Sequence, residues 1–112
     1  MANALLLAWS SPVPGREAEF EQWYAGTHIP QVRSTLPEVT AVTRYRLVDP
    51  QGSPDPAGAA RYLAVYELDT EDVTAAAGAL GAAAASGRLD MTEAMDLADS
   101  PPELQWLAKQ SD

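Results

Sequence analysis

The sequence has no cysteine, only one histidine and few basic residues. The missing cysteine excludes disulfides, thiolate-ligated metals and a cysteine nucleophile. No apolar run approaches the about 20 residues needed to span a bilayer, and the short run at residues 4–8 is too short for the core of a signal peptide. With 7 basic and 16 acidic side chains, the net charge of −9 repels nucleic-acid phosphates and anionic lipids. We therefore expect a cytoplasmic protein with no nucleic-acid partner and no membrane partner.

The order of the predicted elements defines the fold class. The 112 residues are 46% hydrophobic, which predicts one globular domain spanning residues 1–112. Short apolar or β-branched segments predict strands, and segments with apolar residues at helical spacing predict helices. The strands are predicted at residues 4–9, 39–48, 61–68 and 103–109, and a helical turn is the alternative for the last of these. The helices are predicted at residues 16–27 and from the residue after a cap at Thr70 or Asp69 to about Ser86. This βαββαβ order predicts an α+β, ferredoxin-like domain with a four-stranded antiparallel sheet.

Proline, glycine and polar residues predict where several elements end. Pro30 and Pro37 disfavour a helical conformation at the preceding residues, so the first helix is predicted to end near His28 or Ile29. Residues 49–60 are rich in proline and glycine, which predicts a surface loop.

The second helix has its own predicted boundaries. Thr70 or Asp69 is expected to cap its start, and Gly87 to end it in the left-handed conformation. The apolar spacing in residues 89–98 fits either a short helix or an irregular arm.

The strand patterns also predict a homodimer. Two helices cover only one face of the sheet, and a face exposed to water should carry polar residues at alternate positions. The first strand does not alternate, and the third places Leu63 and Val65 opposite Tyr62, Ala64 and Tyr66. A two-fold copy of the same sheet would cover the second apolar face, which gives a dimeric α/β barrel. The alternative is a monomer with one semi-polar face.

Several short motifs together resemble a known family. They are Phe-Glu-Gln-Trp-Tyr at residues 20–24, Thr-His-Ile-Pro at 27–30, Leu-Pro-Glu-Val at 36–39 and Arg-Tyr at 44–45. In this spacing they resemble the EthD-like branch of the dimeric α/β-barrel superfamily, over the part of the chain that precedes the second helix. Glu38 departs from the pattern, because the family often has glycine at this position.

The resemblance implies a fold and dimerisation more directly than a reaction. The superfamily includes cofactor-free monooxygenases, polyketide cyclases, decarboxylases, isomerases and haem-binding enzymes, and one fold hosts many functions. A role in secondary metabolism is what the resemblance implies for this chain.

His28 is the first candidate for chemistry, because histidine is the side chain that normally titrates near neutral pH. On a continuous helix it shares a face with Phe20 and Tyr24. At a helix C-terminus the dipole would favour the imidazolium form. We interpret His28 as a general acid or base in an aromatic-lined cleft. The alternative is a residue that only binds the last helical carbonyls.

Tyrosines, tryptophans and one arginine complete the candidate site. Tyr24 and Tyr45 are predicted to act beside His28 in catalysis. The predicted substrate-binding residues are Trp9, Trp23, Tyr66 and Arg44. The competing interpretation places the aromatic side chains in the core and Arg44 in a surface ion pair. No metal site and no cofactor are predicted; haem bound through His28 is a weaker alternative.

Two functional hypotheses follow. The first is a cofactor-independent enzyme, such as a cyclase, decarboxylase, isomerase or monooxygenase, that uses acid/base chemistry on a hydrophobic oxygenated substrate (aromatic or polyketide-like). The second is a non-catalytic dimeric binding or accessory protein for a hydrophobic small molecule.

Overall fold

The computed structural model describes residues 3–48, 50–52 and 61–110. The strands are β1 (Ala4–Ser10), β2 (Val39–Arg46), β3 (Tyr62–Leu68) and β4 (Glu103–Ala108). The helical segments are α1 (Glu17–Trp23), a π turn (Tyr24–His28), α2 (Ile29–Thr35) and α3 (Val73–Ala85). The four strands form an antiparallel sheet in the order β2-β3-β1-β4. The predicted α+β, ferredoxin-like fold is confirmed. Of the predicted loop at 49–60, only residues 50–52 lie within the described part of the chain.

The two faces of the sheet have different environments. The inner face packs against the helices, and the register aligns Leu6 of β1 with Tyr66 of β3 and Trp106 of β4. Leu6 and Tyr66 are both almost fully buried, within one hydrophobic cluster that joins the sheet to the helices. On the outer face Leu7 pairs with Val65, and both are only half-buried in the single chain. The centre of the outer face is therefore apolar and uncovered in the single chain, as the absence of strict alternation in β1 predicted.

The prediction that the first helix ends near His28 was wrong. The backbone stays helical from Glu17 to Thr35, and both Trp23 and His28 have right-handed helical dihedrals. The proline ring at position 30 would normally clash with the carbonyl four residues earlier. The wider π turn lies directly before Pro30, and such single-turn insertions are a known way for a helix to change its hydrogen-bond register. The helix instead ends at Thr35, before Pro37.

The N-cap of α3 is Asp72 rather than Thr70 or Asp69. Asp72 is extended, and its carboxylate accepts a hydrogen bond of 2.9 Å from the Ala75 N–H. The Thr70 hydroxyl accepts a hydrogen bond from the Asp72 N–H, so it lies two residues before the cap. The end of α3 agrees with the prediction, because Gly87 has a φ of +76°.

Residues 89–102, here called the arm, form an irregular segment between α3 and β4. Backbone hydrogen bonds join the arm to the end of β1, from Val13 N to Ala94 O and from Asp96 N to Ser11 O. Pro12 and Met95 form an isolated β-bridge. Of the two alternatives for this segment, the irregular arm is the one observed.

Candidate functional site

A cavity of about 380 Å³ lies between the inner face of the sheet, the π turn, α3 and the arm. Its walls are mostly apolar, with leucine and alanine from β1 and α3, methionine from the arm and Trp106 from β4. The polar groups in the wall are Ser10, Tyr24, His28 and Tyr66, together with the tryptophan indoles. Pockets of this size and composition are typical of small-molecule sites.

The π turn places His28 in the wall of this cavity. The imidazole stacks on Trp23 at 4.5 Å between ring centroids and meets Tyr24 edge-on at 5.1 Å. Tyr24 in turn lies 5.6 Å from Phe20. The predicted common face of Phe20, Tyr24 and His28 is confirmed, although the helix continues beyond it. Insertions of the π type are frequent at functional sites, where they redirect a side chain.

Burial keeps the His28 imidazole neutral. Desolvation, with a smaller contribution from the positive charge of Arg44, lowers the pKa of His28 from 6.5 to about 4. The expected imidazolium at a helix C-terminus is therefore wrong, because His28 lies in the middle of the helical rod and not at its end. At neutral pH the ring offers one hydrogen-bond donor and one acceptor.

Two tyrosines face the cavity from different elements. Tyr24 comes from the π turn and Tyr66 from β3, and both are nearly inaccessible to solvent. Burial raises the pKa of both phenols, so both remain protonated donors at neutral pH. The Tyr24 hydroxyl is close enough to Tyr66 and Ser10 for hydrogen bonding to influence its pKa. However, neither Ser10 Oγ nor Tyr66 Oη has a partner with full hydrogen-bond geometry among the described residues.

Arg44 lies behind Tyr24 and is not part of the cavity wall. Its guanidinium carbon is 4.2 Å from the centroid of the Tyr24 ring and 5.3 Å from that of Tyr62. Nη1 donates a 2.8 Å hydrogen bond to Glu21. The interpretation of Arg44 as an ion-pairing residue therefore describes part of its environment, but the pair is packed against aromatic faces. In this position the cation acts on Tyr24 and His28 electrostatically, not by direct contact with a ligand in the cavity.

The buried polar atoms without partners are concentrated around this site. Within residues 3–48, 50–52 and 61–110, such side-chain atoms are found only in Ser10, Glu21, His28, Arg44 and Tyr66. Three of the five residues line the cavity, and the other two form the ion pair behind Tyr24. Native proteins satisfy the large majority of buried polar groups, so a cluster of exceptions requires an explanation.

The structure does not bring Tyr45 and the Trp9 side chain to the other predicted site residues. Tyr45 pairs with Leu63 on the outer face of the sheet and is 55% exposed. Trp9 contributes to the cavity wall, but its indole N–H donates to Gln105 on the outer face. Since successive residues of a strand alternate between faces, the neighbours Arg44 and Tyr45 cannot both face the helices.

Trp23 connects the arm to His28. Its indole N–H donates a 2.9 Å hydrogen bond to the Asp90 carbonyl, while its ring stacks on the imidazole. Gln31 exchanges two further hydrogen bonds with Asp90, one with its carboxylate and one with its N–H. Gln31, Asp90 and the wall residue Ser10 were not among the predicted site residues. The polarity of Ser10 at the end of an apolar strand was the one available signal.

The described residues contain no group of three or more histidine, aspartate or glutamate side chains that could hold a metal ion. None of the helices in the same residues is long and apolar enough to cross a membrane.

Comparison with known proteins agrees with the fold. No family model matches the sequence, and no curated protein matches it. The crystal structure of an ethyl tert-butyl ether D (EthD) family protein from Bacillus halodurans C-125 superposes with a TM-score of 0.52. The alignment covers 96% of this chain and 99% of that one, at 17% sequence identity. The resemblance found in the sequence motifs is therefore confirmed for the architecture: this chain has an EthD-like fold.

Proposed function

We propose that the chain is a cofactor-independent enzyme that applies acid/base chemistry to a hydrophobic, oxygenated small molecule. The ligand would occupy the cavity with its oxygen near His28, Tyr24 and Tyr66. The observation that carries this proposal is that Ser10, His28 and Tyr66, which carry buried polar atoms without partners, line an otherwise mostly apolar cavity.

The energetic argument rests on the cost of those atoms. Each buried polar group without a partner destabilises the folded chain by about 1–3 kcal/mol. A carbonyl or hydroxyl oxygen of a ligand would supply partners for several of them together. The apolar remainder of the cavity, formed by residues such as Leu6, Leu80 and Trp106, would hold the hydrocarbon part of the ligand.

The roles of the polar residues follow from their protonation states. Neutral His28 would accept a proton from a carbon next to a carbonyl group. The protonated hydroxyls of Tyr24 and Tyr66 would donate hydrogen bonds to the carbonyl oxygen, where negative charge develops. Cyclases, isomerases, decarboxylases and cofactor-free monooxygenases can all use such a proton transfer. These residues therefore indicate acid/base chemistry in general and not one specific reaction.

A specific observation favours the second candidate, a non-catalytic binding or accessory protein. With a pKa of about 4, His28 is a weaker base than one whose pKa lies near neutrality. The same neutral ring serves well as a fixed hydrogen-bond donor and acceptor for a bound oxygen.

Ligand binding can be tested by NMR, because the single histidine gives unambiguous imidazole signals. The protein would be titrated with a panel of hydrophobic ketones and phenols of increasing size. We expect saturable shifts of the His28 signals with at least one compound. If every compound leaves these signals unchanged at its solubility limit, the proposed site is wrong. A Soret band on titration with haem would support the haem alternative instead.

Catalysis can be separated from binding with His28→Gln, which keeps a side chain able to donate and accept hydrogen bonds. Compounds that bind would be incubated with the protein, and products would be followed by mass spectrometry. An enzyme should lose turnover in the variant while its affinity stays close to the original. If the original protein converts none of its ligands, and the substitution changes affinity alone, the binding protein replaces the enzyme as the conclusion.

We also propose that the protein is a homodimer in which the outer faces of two sheets pack together. The apolar pair Leu7 and Val65 lies at the centre of this face, with Leu63 beside it. A two-fold copy is the simplest partner for such a face. Sedimentation analysis should show a dimer that Leu7→Glu dissociates. Ser34→Glu adds the same charge on exposed α2 and should leave the dimer intact. A monomer at high micromolar concentration would contradict the proposal.

A further inference from the structure

The cavity wall has no charged side chain among the described residues, although the chain as a whole is strongly charged. Strand β1, helix α3 and strand β4 contribute no titratable group to the wall. The π turn contributes Tyr24 and His28, and β3 contributes Tyr66. From the arm come leucine, methionine and proline.

The charged groups close to the cavity are engaged elsewhere. Arg44 and Glu21 form an ion pair on the far side of Tyr24. On the arm, the Asp90 carboxylate accepts a hydrogen bond from Gln31. The Asp96 carboxylate accepts backbone hydrogen bonds within the arm itself.

Two other ionic groups near the arm are also held away from the cavity. Arg61 donates to the hydroxyls of Ser11 and Ser100. Arg16 pairs with Glu19 and donates to the Glu93 carbonyl. The wall therefore has no ionic partner to offer to a charged ligand.

We propose that the cavity selects its ligand in the uncharged protonation state: a phenol, enol or ketone, in preference to a phenolate, a carboxylate or a phosphate. This inference rests on the proposed function and adds a charge requirement to it. Moving an anion from water into an apolar cavity costs several kcal/mol unless a cation or several donors compensate it. The Arg44 guanidinium lies outside the wall, behind Tyr24, and its charge is offset by the ion pair with Glu21, although its Nε and Nη2 have no hydrogen-bond partner among the described residues.

The same environment also favours the uncharged forms of the protein's own titratable side chains. Burial holds His28 in its neutral form by lowering its pKa, and burial raises the pKa of Tyr24 and Tyr66. For both tyrosines the charge of Arg44 acts in the opposite direction, but its effect is smaller than that of desolvation. For a phenolic ligand beside these tyrosines, desolvation would likewise outweigh the charge of Arg44 and favour the protonated form.

The first test compares naphthol with naphthoate, which share a fused ring but differ in charge at neutral pH. Binding would be measured by the NMR shift of His28 and by calorimetry. We expect naphthol to bind at least about tenfold more tightly, a difference of about 1.4 kcal/mol. Equal or tighter binding of naphthoate overturns the charge requirement and leaves the proposed binding site in place. If neither compound binds, and the ketones and phenols of the wider panel also fail, both proposals are overturned.

The second test measures the protonation state of a bound ligand directly. The phenolate form of para-nitrophenol absorbs visible light, so its ionisation can be followed with the protein in excess. We expect the apparent pKa of the bound phenol to rise above that of the free compound. An apparent pKa that stays unchanged or falls would contradict the inference.

A matched pair of variants tests whether the missing charge in the wall causes the selectivity. Met91 and Leu97 both lie on the arm and are 62% and 63% exposed, but only Met91 lines the cavity. We expect Met91→Lys to increase affinity for naphthoate relative to naphthol, and Leu97→Lys to leave the ratio unchanged. If both variants change the ratio equally, net charge and not the cavity wall controls binding, and the inference fails.

Discussion

The helix-covered side of the sheet divides into two regions that are filled differently. Over β2 and β3, the side chains of Phe20, Tyr62 and Arg44 stack closely, with ring centroids of Phe20 and Tyr62 5.9 Å apart. We call this the aromatic region. Over β1 and β4, helix α3 and the arm enclose the cavity of about 380 Å³. We call this the cavity region.

Side-chain size explains the difference. The buried side chains of α1 are the aromatic Phe20 and Trp23, whereas those of α3 are Ala76, Leu80 and Ala83, two of which are alanine. Short side chains on α3 cannot reach across to Leu6 and Ala8 on β1, so space remains between the two elements. One region is therefore filled by aromatic side chains, and the other contains open volume. Tyr24 and His28 lie at the boundary, where the aromatic packing ends and the cavity begins.

The largest expected effect contrasts packing in the two regions. Phe20 has no exposed surface, so Phe20→Ala should lower the free energy of unfolding by about 3–5 kcal/mol. Met91 in the cavity region is largely exposed, and Met91→Ala should change this energy by no more than about 0.5 kcal/mol. Urea unfolding followed by circular dichroism measures both. Similar losses would show that the two regions are equally packed.

The sequence predicts the fold and the shared face of the aromatic residues, but it does not predict where the cavity lies. The aromatic spacing of Phe20 and Tyr24 predicted a shared helix face, and the strand patterns predicted the fold. The many alanines of α3 predict a thin helix that can lie close to the sheet, and this pattern does not predict a cavity beside it. Whether a cavity forms depends on the arm, whose path is set by contacts between distant residues such as Trp23 and Asp90.

The positions of Tyr45 and His28 show more clearly what could not be predicted from the sequence. Strand alternation alone separates Arg44 from Tyr45, so a substrate-binding Arg44 and a catalytic Tyr45 in one site were inconsistent with the predicted strand. The continued helix beyond His28 was not predictable from local propensity, because Pro30 is a strong signal for a helix end. The π turn that precedes Pro30 depends on packing within the fold, which the pattern of apolar residues does not specify.

The pH dependence of stability tests how strongly the cavity region keeps its histidine neutral. The pKa of His28 is about 4 in the folded protein and 6.5 as a free side chain. Between these values the unfolded chain binds the proton first, so this contribution to stability is present above pH 6.5 and is lost as pH falls towards 4. The loss should total about 3 kcal/mol.

Comparing the original protein with His28→Gln isolates this contribution from the titration of carboxylates. Unfolding free energies would be measured in urea at several pH values across the interval. The original protein should lose more stability on acidification than the variant. Parallel curves would mean that His28 titrates as a solvent-exposed imidazole, and that the cavity region is open to water.

Tyr66 tests whether the unpartnered hydroxyl serves a ligand at some cost to stability. Because Tyr66 Oη has no partner among the described residues, Tyr66→Phe should leave the free energy of unfolding unchanged or raise it by up to about 1 kcal/mol. The same change should weaken the binding of naphthol. Tyr62→Phe is the control in the aromatic region, and it should leave naphthol affinity unchanged. If Tyr66→Phe destabilises the protein, the hydroxyl already has a hydrogen-bond partner in the ligand-free protein, and the argument that a ligand supplies this partner fails.

The last comparison separates the volume of the cavity from the helix that borders it. Gly81 and Gly78 both lie in α3, and a side chain added at either position would meet open space. Leucine favours helical structure over glycine, so Gly81→Leu and Gly78→Leu should each raise the free energy of unfolding by about 0.5–1 kcal/mol. Only Gly81 belongs to the cavity wall, so Gly81→Leu alone should abolish naphthol binding by filling the space. Calorimetry and urea unfolding on the two variants measure both effects. If Gly81→Leu still binds naphthol with the original affinity, the ligand occupies a different part of the molecule. The cavity region is then not the binding site.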